Sequence, residues 1–313
     1  MHPRHYPMSS RLLRIGLPLA IALAATLAPE IGRSAGDTHG PAFWRSLKEQ
    51  EFKLPPDTAV FPLALEATTL LGSTDPELRD GIGYEALLAW VYRDQRLSAA
   101  QLNELRGVLM HNARLGLGNG EDDSLFLRSF SDLVLSVLAA EDLRAPFLDG
   151  AAFNALVDLG VESLQQERDL RGYGVQKGWG HATAHCADLL KFLARNPRLT
   201  RDQQARIVEA VAHRLQTAGQ VFTWGEDARL AYALSSLARR PDAELAPFEA
   251  WFKSLREEHS RVWSGTLEPA RYVRERAQLN TLSELAADLD TQESPERTQA
   301  VRAALRALRA DLR

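Results

Sequence analysis

Apolar residues in this chain recur at three- and four-residue spacing almost throughout, and strict alternation never persists for more than a few residues. That spacing gathers side chains on one face of an α-helix, whereas a half-buried strand needs a period of two. The expected fold class is therefore all-α. Helices are expected over 42–52 after Pro41, over 62–71 up to Gly72, and over 76–94 after Asp75-Pro76. Ser98-Ala-Ala-Gln101 and Thr200-Arg-Asp-Gln203 are capping boxes, which open helices reaching about 115 and 218. Asp122 or Asp123 caps a helix carrying Leu125, Leu127, Phe130, Leu133, Val134 and Val137 on its apolar face. Asp149 opens a helix to about Leu170, and further helices cover 179–195, Gly225 to Arg240, Asp242 to about Glu258, 268–289 and 295–312. About twelve helices on short loops imply pairwise packing, as a HEAT-like α/α superhelix or as a closed helical array.

The N-terminus has the order of a secretory leader. Arg4, Arg11 and Arg14 are followed by an uncharged apolar run from Ile15 to Ala28. A membrane span needs about 20 such residues, so this run fits a signal core better than an anchor. Residues 1–35 are read as a signal peptide and 36–313 as one helical domain, periplasmic or secreted, with no stable membrane span once the leader is removed. The leader holds four Arg and one Glu, so 33 basic and 40 acidic side chains remain, a net charge of −7. That balance argues against nucleic acid as a partner. Cys186 is the single cysteine, so no internal disulfide can form and stability must come from the core. The leucine stripe Leu305, Leu308 and Leu312 marks a C-terminal capping helix.

Chemistry concentrates between Glu167 and Leu190. On one helix, at about 100° per residue, His181, His185 and Asp188 fall within roughly 60° of one another. Two imidazoles one turn apart with a carboxylate beyond them can ligate a divalent metal such as zinc, or work as an acid/base pair. The opposite face carries Trp179, Ala182, Cys186, Leu189, Leu190 and Leu193, and the polar stripe is itself flanked by Ala184 and Phe192. A solvent-facing stripe normally carries Lys and Glu, so both sides of this helix are expected to be covered, with the stripe facing a crevice. Glu226 and Asp227 open a later helix, where carboxylates favour the dipole's positive end; they can also reach the histidines as ligands or base. Arg171 is a candidate anion clamp, and Trp179, Arg128, Asp169 and Tyr173 are candidate ligand contacts. Arg128 lies in an otherwise apolar helix and needs a carboxylate from one of these segments. Asp80, near Arg79 and Tyr84, is a weaker candidate for the same cluster. His-Glu-x-x-His is absent because position 182 is Ala, and Cys186 diverges from His185 by about 100°, so a buried thiol is its expected role.

Together, Arg128-Ser-Phe-Ser131, Glu167-x-Asp-Leu-Arg-Gly-Tyr173, Gly178-Trp-Gly-His-x-x-x-His185 with Ala187-Asp-Leu-Leu190, and Gly225-Glu-Asp-x-Arg-Leu230 resemble the bacterial family DUF2785. The resemblance spans roughly 75–260, leaving 261–313 as capping helices, and it implies an all-helical fold without implying an activity. Three functional readings share the crevice. In the first, an exported helical protein binds a small ligand or peptide over a His–Asp–Glu floor. In the second, a metal-assisted or acid/base hydrolase uses His181, His185 and Asp188 as ligands, Glu226 or Asp227 as base and Arg171 as clamp. In the third, the cluster is a purely structural polar network.

Overall fold

The computed structural model describes residues 39–291 and 295–312, so the leader expected over residues 1–35 lies outside the described residues. The fold is all-α, and with the rod formed by residues 76–93 taken as one element there are twelve helices among the described residues. The rod runs as α3 (Pro76–Leu78), a π-helical turn (Arg79–Tyr84), α4 (Glu85–Leu88) and a second π-helical turn (Ala89–Arg93). Before it stand α1 (Pro41–Glu49) and α2 (Val60–Leu70). After it come α5 (Ala99–Asn112), α6 (Ser124–Arg144), α7 (Gly150–Gln166), α8 (Ala182–Arg195), α9 (Arg201–Thr217), α10 (Glu226–Ala238), α11 (Ala246–Trp263), α12 (Pro269–Thr291) and α13 (Pro295–Asp311).

Both capping boxes form as their sequences require: the Ser98 hydroxyl accepts from Gln101 N–H and the Thr200 hydroxyl from Gln203 N–H, while each glutamine side chain answers the cap's own N–H. At α6 it is the Asp122 carboxylate that accepts from Ser124 N–H, at 2.7 Å. One helix starts later than the acidic signal indicates. Asp242 gives its carboxylate to Arg240 (2.9 Å), and α11 begins at Ala246 with Pro247 in its first turn.

Packing follows a two-layer rule. α6, α8, α10 and α12 are successive neighbours, and α7, α9, α11 and α13 form a second succession, joined to the first through α7 on α8 and α9 on α12. This is the α/α arrangement expected when each helix buries one stripe against its neighbours. Helix α8 lies between α6 and α10 and also against α7, so every residue from Ala182 to Leu190 is buried. The expectation that both sides of this helix are covered holds. The described residues contain no helix long and apolar enough to cross a membrane.

Candidate functional site

The first departure from the expected stripe is in the backbone. The glycine-rich segment before α8 forms a two-stranded antiparallel hairpin, β1 (Tyr173–Gly174) and β2 (Gly178–Trp179), with Tyr173 opposite Trp179 and Gly174 opposite Gly178. The ladder is extended by Gly180 N–H to Gly172 O and His181 N–H to Arg171 O, both 2.8 Å. Trp179 and His181 are therefore not helical. His181 is the N-cap of α8 and sits in the left-handed region, φ 58° and ψ 27°, a conformation that costs a non-glycine residue on the order of 1 kcal/mol. Two contacts hold it there: its ring stacks on Trp179, with centroids 4.7 Å apart, and its Nε2–H donates to the Trp224 carbonyl at 3.1 Å. Because His181 O accepts from His185 N–H (3.0 Å), the first bond of the helix still brings the two imidazoles to 5.5 Å.

The histidines carry opposite tautomers, assigned from their partners. His181 must be protonated on Nε2 to donate to Trp224 O. At His185 the Ser129 hydroxyl gives its proton to the Gly180 carbonyl, so Nδ1–H is the donor to Ser129 Oγ, at 2.8 Å. Nε2 of His185 keeps its lone pair. Both rings are neutral near pH 7: burial, reinforced by Arg229, lowers His181 to about 4, and burial with the neighbouring His181 and Arg229 drives His185 well below its ordinary value. His181 Nε2 also lies 3.7 Å from Glu226 Oε1, but with the ring neutral this is no ion pair. Burial raises the Glu226 carboxyl, whose Oε2 accepts from Trp224 N–H at 2.9 Å.

Asp188 is already committed. One oxygen accepts from Lys191 Nζ at 2.6 Å and the other from Arg229 Nη1. Among the described residues no three His, Cys, Asp or Glu side chains come together as a metal-binding group. With His181 Nε2 donating to a carbonyl and both Asp188 oxygens on cations, the residues present do not fit the zinc arrangement expected of the stripe.

Other candidates separate from this centre. Arg171 binds Asp169 through Nε at 2.9 Å and Nη2 at 2.6 Å, and with Tyr173 it lines a different groove, beneath the hairpin. Asp227 accepts from Ala228 N–H at 2.9 Å in its own helix. Arg128 finds its carboxylate in Glu167, at the C-terminus of α7, through Nε at 2.9 Å and Nη2 at 3.2 Å. Arg79 holds Asp80 at 2.8 Å and donates to Lys177 O, tying the rod to the hairpin. Cys186 is buried, and its Sγ–H reaches Gly160 O at 3.1 Å, so it is a packed thiol as expected.

What the fold does assemble is a cleft of about 460 Å³ between the rod, α6, α8 and α10. One wall is Tyr84, Leu88 and Tyr92, at every fourth position of the rod and spanning both π-helical turns. π-Turns insert an extra residue into the helical ladder and often mark functional sites. Leu133, Val137 and Phe192 supply further apolar surface, while His185, Asp188, Lys191 and Arg229 supply polarity. Tyr92 and Arg229 lie at the exposed edge. Arg229, and Ser129 behind His185, sit inside the sequence motifs without any spacing that singles them out. Only the folded rod reveals Tyr84, Leu88 and Tyr92 as one wall.

The fold and cleft define an all-helical α/α protein with a histidine-floored crevice. The family model DUF2785, described as a protein of unknown function, matches residues 115–294, more than half of the chain. The chain belongs to this family. The matched span starts and ends later than the 75–260 inferred from the motifs, so the Tyr84–Tyr92 wall precedes it. Neither the curated proteins nor the solved structures contain a match.

Proposed function

We propose that this is an exported binding protein whose cleft takes a small amphipathic organic anion, an aliphatic or aromatic carboxylate or a peptide C-terminus being the simplest members of the class. One observation carries the reading: two cations, Lys191 and Arg229, share a single carboxylate, Asp188, beside an apolar wall. The cleft therefore keeps one positive charge in excess, and an incoming carboxylate can be met by Arg229, which gives planar two-point contacts. The neutral His185 Nε2 accepts a hydrogen bond but adds no charge. Export is supported by the charged-then-apolar order of residues 4–28.

Binding is favoured over hydrolysis by the partners of the hydroxyls. Ser129 spends its proton on the Gly180 carbonyl, and Ser136, which lines the cleft, donates to Leu133 O at 2.7 Å. Neither is aligned with His185 as a nucleophile awaiting a base. A histidine titrating well below pH 6.5 is also a weak general base.

The test is a fluorescence titration with 8-anilinonaphthalene-1-sulfonate, an aromatic anion. The reading expects saturable one-site binding, weakened about tenfold or more, the worth of one charge-assisted contact, in Arg229→Glu. Ala140→Trp, which fills the cleft, should abolish it. Binding indifferent to both substitutions contradicts the reading.

A further inference from the structure

Behind His185, on the side of α8 away from the cleft, lies a buried void of about 10 Å³ between α6, α7 and α8. Its lining includes Ser129, Asp132, Ser163 and Thr183. These side chains are nearly inaccessible, at 0%, 3%, 3% and 4% exposure. Three of their oxygens, Asp132 Oδ1, Ser163 Oγ and Thr183 Oγ1, have no hydrogen-bond partner of acceptable geometry. Ser163 lies close enough to Asp132 that its hydroxyl is, after burial, the largest influence on the carboxyl and favours its ionised form, although the pair does not reach hydrogen-bond geometry. Buried polar atoms are nearly always satisfied, because each one left unmade costs on the order of 1–3 kcal/mol. Three converging on one small void therefore point to a bound partner.

We propose that this void is a specific site for a single water molecule, which joins Asp132, Ser163 and Thr183 and braces the Ser129 hydroxyl that fixes the tautomer of His185. The size fits, since one water needs roughly 10–15 Å³ of such space and two to four polar partners. The chemistry fits too. Burial pushes Asp132 up to about 8, so at neutral pH its carboxyl is mostly protonated. With a carboxyl and two hydroxyls around it, one water can use both protons and both lone pairs. Ser129 Oγ donates to Gly180 O and accepts from His185 Nδ1, which leaves one lone pair for the water. A metal cation is disfavoured, because the Arg128 and Arg214 guanidiniums line the same void. Ser129 thus stands between the void and the cleft, and Thr183 and Asp132 become positioning residues for His185. The inference does not depend on what the cleft binds.

Two measurements test it. A high-resolution crystal structure should show one water-sized density peak within hydrogen-bond distance of Asp132, Ser163 and Thr183. An empty void, or side chains that pair directly and close it, overturns the proposal. In ¹⁵N NMR of the imidazoles, the full chain should show His185 as a single Nδ1–H form. Thr183→Val, which keeps the shape and removes the hydroxyl, should convert it to a mixture, and Thr183→Ser should restore it. If Thr183→Val does not fold, Ser163→Ala removes a different partner of the same water and should give the same mixture. An unchanged imidazole signature in the folded variant overturns the positioning role.

Discussion

Ser129 and His185 are 56 positions apart in the chain, yet the hydroxyl of one accepts from Nδ1 of the other at 2.8 Å inside the core. This contact decides which nitrogen His185 offers to the cleft. Removing it in Ser129→Ala leaves the His185 Nδ1–H and the Gly180 carbonyl without their partner. The expected destabilisation is about 2 kcal/mol, measured by urea unfolding. A loss below about 0.5 kcal/mol would mean that the hydroxyl is dispensable.

A buried ion pair and a surface one should respond very differently. Arg128 and Glu167 are 2% and 6% exposed and joined through two hydrogen bonds. Taking away one partner strands a buried charge, so Glu167→Gln should cost about 3–5 kcal/mol. Lys177 and Asp123 are 43% and 47% exposed at 2.7 Å, and Asp123→Asn should cost less than about 1 kcal/mol. Urea unfolding of both variants, compared side by side, checks the contrast.

Gly172 lies directly under the Trp224 indole. A Cβ at this position would sit 2.1 Å from Trp224 Cδ1, so Gly172→Ala must displace the ring. The same tryptophan's carbonyl holds His181, and its ring packs edge-on to Trp179 with centroids 6.0 Å apart. The variant is expected to stay helical by circular dichroism while its tryptophan emission shifts. Unchanged emission would place Trp224 elsewhere.

The buried histidines and the buried carboxyls should pull stability in opposite directions with pH. His181 titrates at about 4 in the fold against an ordinary 6.5, and His185 is displaced in the same direction. Between those limits the unfolded chain takes up protons that the fold does not, so this stability is complete above pH 6.5 and lost on acidification. Asp132 behaves oppositely. It holds its proton up to about 8 in the fold against 3.8 unfolded, so stability is lost as pH rises through that range. Burial raises Glu226 and Asp80 in the same direction as Asp132, so the carboxyls offset the histidines below pH 6.5; above it the histidine contribution is complete and the Asp132 contribution is lost at up to about 1.4 kcal/mol per pH unit. Melting temperature should fall between pH 6.5 and 8, and Asp132→Asn should flatten that fall.

Local rules carried the helices and failed at the polar centre, for identifiable reasons. Capping residues such as Ser98 and Thr200 act within four positions, so they can be read directly from the chain. The covered faces of α8 were legible because alanine and phenylalanine flank the polar positions of His185 and Asp188. What spacing could not carry was the hairpin, whose pairing of Tyr173 with Trp179 moves His181 off the helix while keeping it near His185. Nor could it show that Arg229 and Lys191 would claim Asp188, or that two π-helical turns would align Tyr84, Leu88 and Tyr92. The contact of Arg229 with Asp188, and the cleft that the rod wall faces, arise only when separate elements meet.

The central claim concerns charge: the cleft holds one more cation than it neutralises. Isothermal titration with 3-phenylpropionate and with 3-phenylpropylamine tests it directly, since the two share an apolar body and differ in the sign of the head group. The account predicts that the carboxylate binds at least about tenfold more tightly than the amine, and that Arg229→Glu removes the preference. Equal affinities, or tighter binding of the amine, would contradict it.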